Sequence, residues 1–209
     1  MRLGLLGPAK RNSQVLRQRA AFLVDTLRVD RAVYLGVDGA LDQVVGRWAN
    51  ELVSGDPSDG AVWKRAAQVC AKATASEIEA FLRAERGRQQ LKVLECLPHA
   101  TSRSIELFGT VVAVLIHDKA LLNEEDILPA SVLVFGRASE PVIHRIGMRC
   151  FVSPGPIGHP KGGAAMLHDD AQGQVIASMY APDGTCVMTE VVAQPNRVAR
   201  IMVQGGGAT

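Results

Sequence analysis

The stretch Val132-Leu-Val-Phe-Gly-Arg-Ala-Ser139 (VLVFGRAS) decides the fold of this chain. Its first four residues are an uninterrupted apolar run, which is typical of a strand that is buried on both faces. A glycine ends the run, and polar residues follow it. The same order occurs in Leu3–Lys10, and in Val114–Asp118 an apolar run passes directly into two polar residues without a glycine. We therefore predict buried strands that carry polar loops at their carboxyl ends.

Working outward, the two halves of the chain differ in their pattern. In the first half, strands at Leu3–Leu6 and Arg31–Leu35 are each followed by a segment with helical spacing. This order predicts parallel strands joined by a right-handed crossover. From Leu91 onward the pattern changes to short strands separated by turns, which indicates hairpins and an antiparallel meander. The predicted class is α/β, with two facing mixed β-sheets flanked by helices.

The length of 209 residues and a hydrophobic fraction of 47% suit one globular domain. We predict this domain over residues 1–203, and a flexible tail over 204–209 (QGGGAT). The stretch from about 61 to 86 is rich in alanine, polar and helical in pattern. We expect it to be a helical insertion into the core fold.

The overall charge excludes several functional classes. A net charge of +2 and an aromatic content of 4% predict no nucleic-acid partner. No apolar stretch is long enough to span a bilayer, so no membrane insertion is expected. The four cysteines form no CxxC pair. We expect them to be free thiols in a reducing compartment, which predicts a cytoplasmic protein.

Five strand-to-loop junctions carry a resemblance to a known family. Their sequences are GPAK (Gly7–Lys10), YLGVD (Tyr34–Asp38), VLIHD (Val114–Asp118), VLVFGRAS and VSPGPIG (Val152–Gly158). In order and spacing they resemble the small calcineurin-like metallophosphoesterases, in the branch of compact bacterial phosphodiesterases and the small retromer subunit. The resemblance covers most of the chain outside the predicted insertion. It implies an αββα sandwich with an active site at the strand ends.

The resemblance also implies a metal centre, because each junction of the family supplies ligands to two divalent cations. In this chain the corresponding positions carry few residues that bind metals. We interpret the following as vestigial metal-site positions: Pro8, Lys10, Val37, His117, Arg137 and Ser139, with Asp38 one residue beyond the second aspartate of the family. Only His117 keeps a ligand type in register, and no counterpart of the GNxD motif is present.

Two of these positions, Lys10 and Arg137, carry positive charge. At 4 Å two unit charges repel by about 4 kcal/mol at an effective dielectric near 20, and a divalent ion doubles that figure. The sequence therefore predicts no bound metal, no cofactor and no two-metal hydrolysis.

Three functions follow as hypotheses. The first is an inactive phosphoesterase-fold protein that acts as a protein-binding or scaffolding subunit, with a protein partner. The second is a phosphodiesterase or phosphatase with a rebuilt site that uses Asp38, His99, His117 and Asp118. The third is a binder of phosphorylated ligands, in which Lys10, His117 and Arg137 form an anion-binding pocket.

Overall fold

A computed structural model of the chain describes residues 1–10, 12–71 and 73–195. Within these residues the strands are β1 (Arg2–Leu6), β2 (Arg31–Tyr34), β3 (Leu94–Cys96), β4 (Arg103–Phe108), β5 (Val111–Ile116), β6 (Val132–Phe135), β7 (Val142–Ile146), β8 (Arg149–Ser153), β9 (Ala164–Asp169), β10 (Val175–Tyr180) and β11 (Cys186–Ala193). The helices are α1 (Ser13–Ala21), α2 (Ala40–Val53), α3 (Val62–Cys70), α4 (Ala75–Gln90) and α5 (Glu124–Ile127). The predicted tail, 204–209, lies outside the described residues, as do residues 196–203.

The strands form two mixed sheets. The first has the order β11-β10-β9-β1-β2-β3, and the second has the order β4-β5-β6-β8-β7. In the first sheet β1, β2 and β3 are parallel, whereas β9, β10 and β11 are antiparallel neighbours. In the second sheet β5, β6 and β8 are parallel. The predicted class, two facing mixed sheets flanked by helices, is confirmed.

The main core lies between the two sheets. It is built from alternate apolar residues of both sheets, among them Leu3, Leu5, Val134 and Val152, which are fully buried. The residues between them point to the outer faces, which are also covered. Because both faces of these strands are buried, the strands appear in the sequence as uninterrupted apolar runs. Burial of this kind stabilises a fold by about 25 cal/mol per Å² of apolar surface.

Helices cover the two outer faces unequally. On the first sheet, α1 and α2 bury a second apolar cluster that includes Leu16, Leu41 and Tyr34. On the second sheet, Ile127 of α5 packs against Val114 and Leu133. Because α5 has only 4 residues, it leaves much of that face open. No helix among the described residues is long and apolar enough to cross a membrane.

The predicted insertion folds as two helices, of which α4 packs on α2 and α3 packs on α4. Thr74 caps α4 through a capping box with Glu77. Beneath the helices, Glu85 accepts hydrogen bonds from Arg65 (2.7 Å) and Arg88 (2.8 Å). All three side chains are buried. Buried ion pairs therefore hold the two helices together. The polar composition of the segment did not predict that these charged side chains would be buried.

Candidate functional site

The carboxyl ends of the parallel strands of both sheets meet at one edge of the sandwich. Two glycines permit this approach. A Cβ atom at Gly136 would overlap the backbone of Leu35, and a Cβ atom at Gly7 would overlap the carbonyl oxygen of Gly155. Only glycine tolerates backbone contacts this close. These contacts pair four of the five junctions: YLGVD meets VLVFGRAS at Leu35 and Gly136, and GPAK meets VSPGPIG at Gly7 and Gly155. The fifth junction, VLIHD, contacts Leu35 through His117.

Tyr34, the last residue of β2, ties the first two junctions together. Its hydroxyl accepts a hydrogen bond from the N–H of Ala9 (2.9 Å) and donates one to Asp38 Oδ1 (2.9 Å). The same oxygen of Asp38 accepts from the N–H of Ala40 (3.1 Å) at the start of α2. Burial raises the pKa of Tyr34, so the hydroxyl stays protonated. Asp38 is thus held in its own loop by two local donors.

His117 follows β5 and bridges the two sheets. Its Nδ1 lies 2.7 Å from the carbonyl oxygen of Leu35, and the ring is half-buried. Because a carbonyl only accepts, Nδ1 carries the proton, and in the neutral ring Nε2 keeps its lone pair. The carbonyl of His117 in turn accepts from the N–H groups of Gly136 (3.0 Å) and Arg137 (2.7 Å). This residue therefore has a structural function at the junction, with one ring nitrogen left as an acceptor.

Arg137 and Asp118 form an ion pair with a distance of 2.8 Å between Nη1 and Oδ2. The N–H of Ala120 and then Arg137 lower the pKa of Asp118, so its carboxyl is ionised at neutral pH. The Arg137 side chain is 75% exposed. The positive charge of Arg137 is therefore compensated by a neighbour in solvent, and it does not face an enclosed pocket.

The other predicted positions are dispersed over the loops. Lys10 is exposed and adopts a left-handed backbone conformation with φ of 42°. Val37 and Ser139 are also exposed, while the carbonyl of Pro8 accepts from the N–H of Ile157 (2.9 Å). His99 is exposed, and its Nδ1 lies 3.0 Å from the hydroxyl of Thr101. No hydrogen bond or ion pair among the described residues joins these side chains to His117.

The donor set at this edge does not fit a pair of divalent cations. In the part of the chain that the structure describes, no three residues of the His, Cys, Asp and Glu types lie close enough to hold a metal ion. Oδ1 of Asp38 accepts hydrogen bonds from Tyr34 and Ala40, and His117 keeps only Nε2 as an acceptor because its Nδ1 donates to Leu35. A two-metal centre needs several oxygen and nitrogen donors around each ion.

Two residues at this edge were missed by reasoning from sequence. Tyr34 was counted only as part of an apolar strand, although a tyrosine at the end of a strand, two residues before a glycine, could have signalled a hydroxyl that reaches the loops. Cys96 ends β3, and burial together with a hydrogen bond to Asp42 raises its pKa to about 12. Its thiol is therefore protonated at neutral pH and is not an activated nucleophile.

The two facing mixed sheets, with helices outside them and the strand-end junctions at one edge, define an α/β sandwich of the kind that the resemblance predicts. No protein-family model matches the sequence, and no curated protein matches it. Among solved structures, the chain aligns with a predicted phosphoesterase from Streptococcus pneumoniae at a TM-score of 0.48 and 10% identity, over 91% of this chain and 97% of that one.

Two further solved structures align over similar lengths. A double mutant of Vps29 from Entamoeba histolytica aligns at a TM-score of 0.48 and 14% identity, over 91% of this chain and 97% of that one. An archaeal phosphodiesterase aligns at a TM-score of 0.45 and 10% identity, over 85% of this chain and 98% of that one. At these identities the likeness concerns the fold alone.

Proposed function

We propose that this chain is a catalytically inactive protein with a phosphoesterase-like fold that acts as a binding or scaffolding subunit for another protein. The observation that carries the proposal is the bonding of the strand-end side chains. Asp38 is held by Tyr34 and Ala40, and His117 by Leu35. These hydrogen bonds engage Oδ1 of Asp38 and Nδ1 of His117, so the two residues together offer an ion only Oδ2 of Asp38 and Nε2 of His117, which is too few donors for a two-metal centre.

The residue types in these loops support the same proposal. Lys10 and Arg137 stand in the loops where the resemblance would require metal ligands, and His117 is the single ligand type that keeps its register. Neither cation can replace the ligand, because an ammonium or guanidinium group donates hydrogen bonds and has no lone pair to offer a metal ion.

A protein partner is favoured over a phosphorylated small molecule. Arg137 forms an ion pair with Asp118, and this pairing weakens Arg137 as a phosphate ligand. In contrast, large apolar side chains are exposed elsewhere, including Ile105 and Leu107 on β4 and Met148 in the β7–β8 turn. Ile105 and Leu107 alternate along β4 and so share one face of that edge strand, and exposed apolar surface commonly marks protein interaction sites. We further propose a cytoplasmic location, which suits the four free cysteines.

The catalytic half of the proposal is tested with the full chain purified in the presence of Mn²⁺. We expect metal content near zero after desalting, and no more turnover of bis-p-nitrophenyl phosphate by the wild type than by His117→Ala. Lys161→Ala, an exposed change outside the quoted junctions, serves as the matched control. Manganese-dependent turnover that His117→Ala abolishes and Lys161→Ala retains would overturn the proposal in favour of a rebuilt enzyme.

The partner half is tested by isolating the tagged full chain from its native host. We expect one protein to co-purify in a fixed stoichiometric ratio and to remain bound through size-exclusion chromatography. A chain that elutes only as a monomer or as a self-association, under conditions that preserve known complexes of the host, would contradict a scaffolding function.

A further inference from the structure

A cleft of about 1040 Å³ opens at the amino ends of β6 and β8. These strand ends are opposite to the carboxyl ends, where the strand-end loops of the candidate site lie. The walls of the cleft are the turn between β7 and β8, the segment before β6, and the end of β11. None of the five strand-end junctions contributes a residue to the cleft lining, so the cleft is separate from the candidate site.

The apolar part of the cleft is unusually exposed. Met148 at the tip of the β7–β8 turn is 86% exposed, Leu128 is 71% exposed and Ile146 is 57% exposed. Val191 of β11 continues the same surface. Single exposed apolar residues need no explanation, but several that line one concave surface mark an interaction site.

Two arginines supply the charge of the cleft. Arg145 donates from Nη2 to the carbonyl of Val191 (2.8 Å), and Arg149 donates from Nε to the carbonyl of Ile127 (2.8 Å). These bonds fix both guanidinium groups while leaving further N–H donors of each without a protein partner among the described residues. No carboxylate of those residues lies within 4.0 Å of either guanidinium, and the described cleft lining contains no acidic side chain.

We propose that this cleft binds an acidic segment of a partner protein, in which carboxylates pair with Arg145 and Arg149 and apolar side chains cover Met148, Ile146 and Leu128. The inference rests on the proposed scaffolding function and names its surface and the chemistry of its partner. Arginine forks match carboxylates in a bidentate geometry. A nucleic acid is disfavoured, because the described lining has no aromatic side chain on which bases could stack.

The test is a selection of peptides from a random display library against the immobilised full chain. We expect the enriched peptides to combine Asp or Glu with Leu, Ile, Met or Phe. A synthetic copy of the most enriched peptide should bind the wild type. Its affinity for the variant Arg145→Glu plus Arg149→Glu should be at least about tenfold lower, because the introduced carboxylates repel those of the peptide. A tenfold loss corresponds to about 1.4 kcal/mol. The charge-matched control is Arg83→Glu plus Arg86→Glu on the exposed side of α4, which should bind like the wild type.

A second variant tests the cleft even if the charge-reversed variant fails to fold. Met148→Asp changes a side chain that is 86% exposed, so the fold should be unaffected while the peptide affinity falls. Basic or uncharged enriched peptides, peptides that bind the charge-reversed variant equally well, or no enrichment at all would overturn the inference. Binding of a single-stranded oligonucleotide that the charge reversal abolishes, without peptide binding, would also overturn it.

The failure of this inference can be told apart from failure of the proposed function. The charge-reversed variant and Met148→Asp are each tagged and isolated from the native host alongside the wild type. If the stoichiometric partner remains bound to both variants, the cleft is not its binding site, but the scaffolding function stands. If the wild type binds no partner, the proposed function itself is wrong.

Discussion

The strand-end loops and the helical pair α3–α4 both carry clusters of charged residues, but the two clusters are built differently. In the helical pair, Arg65, Glu85 and Arg88 are buried and bonded to one another. In the loops, Arg137 is 75% exposed and meets a single partner, Asp118. Buried pairs are costly to break, whereas exposed pairs contribute little. The comparison teaches that the charges at the candidate site are not the ones that hold this fold together.

The largest expected effect concerns Glu85. Glu85→Ala leaves Arg65 buried without its carboxylate, and we expect a loss of about 3–5 kcal/mol in the free energy of unfolding of this region. The measurement is urea denaturation combined with hydrogen exchange of α3 and α4. Glu79→Ala, an exposed change on the same helix, should stay within about 0.5 kcal/mol. Equal effects of the two substitutions would remove the distinction between the clusters.

The pH dependence of stability sharpens the same contrast. The hydrogen bond from Arg65 lowers the pKa of Glu85, against the effect of burial. A carboxyl whose pKa is lower in the folded state stabilises the fold fully above its unfolded pKa, about 4.3, and loses that contribution as pH falls through its folded-state pKa. We expect the unfolding free energy measured between pH 6 and pH 3 to fall less steeply in Glu85→Gln than in the wild type. An unchanged slope would contradict this assignment.

Tyr34→Phe should have an intermediate effect. The substitution leaves the N–H of Ala9 without its acceptor and Asp38 without one donor, which costs about 1–2 kcal/mol. Thermal or urea denaturation measures the loss. Asp38→Ala alone and in combination completes a double-mutant cycle, and we expect the two losses to be less than additive because the side chains share a bond. Strict additivity would show that Tyr34 and Asp38 act independently.

The smallest effect is expected at the candidate site itself. Arg137→Ala and Lys10→Ala should each change the free energy of unfolding by no more than about 0.5 kcal/mol, since both side chains are exposed. Denaturation curves of each variant beside the wild type measure this. A loss above about 1 kcal/mol for Arg137→Ala would mean that its pair with Asp118 is structural and that the contrast between the clusters is wrong.

Much of the fold could be predicted because its strands are apolar runs with sharp ends. The run before Gly136 is β6, and Val111–Ile116 is β5, as their patterns predict. The geometry inside a helix was harder to predict. The first helical segment changes from α-helical to π-helical geometry after Ala21, and the π-helical turn Phe22–Thr26 is closed by a hydrogen bond from the N–H of Leu27 to the carbonyl of Phe22 (3.0 Å). One extra residue in a turn leaves no trace in the periodicity.

The candidate site could be located but not assembled from sequence. The junctions follow predictable strands, so their common edge was predictable too. The bond between Tyr34 and Asp38 was not, because Tyr34 was read as part of a strand's apolar face. Likewise, Arg145 was read as one residue of a hairpin, and its contact with Val191 depends on how two sheets pack.

By itself, the sequence determined which segments become strands and helices, where glycines end the strands, and which residue types stand at the strand ends. Only the tertiary structure decided which donors meet which acceptors, such as His117 with the carbonyl of Leu35, 82 residues away. The physical reason is that apolar periodicity acts over a few neighbouring residues, whereas a hydrogen bond needs atoms within about 3 Å of each other. That distance is set by the packing of elements far apart in the chain.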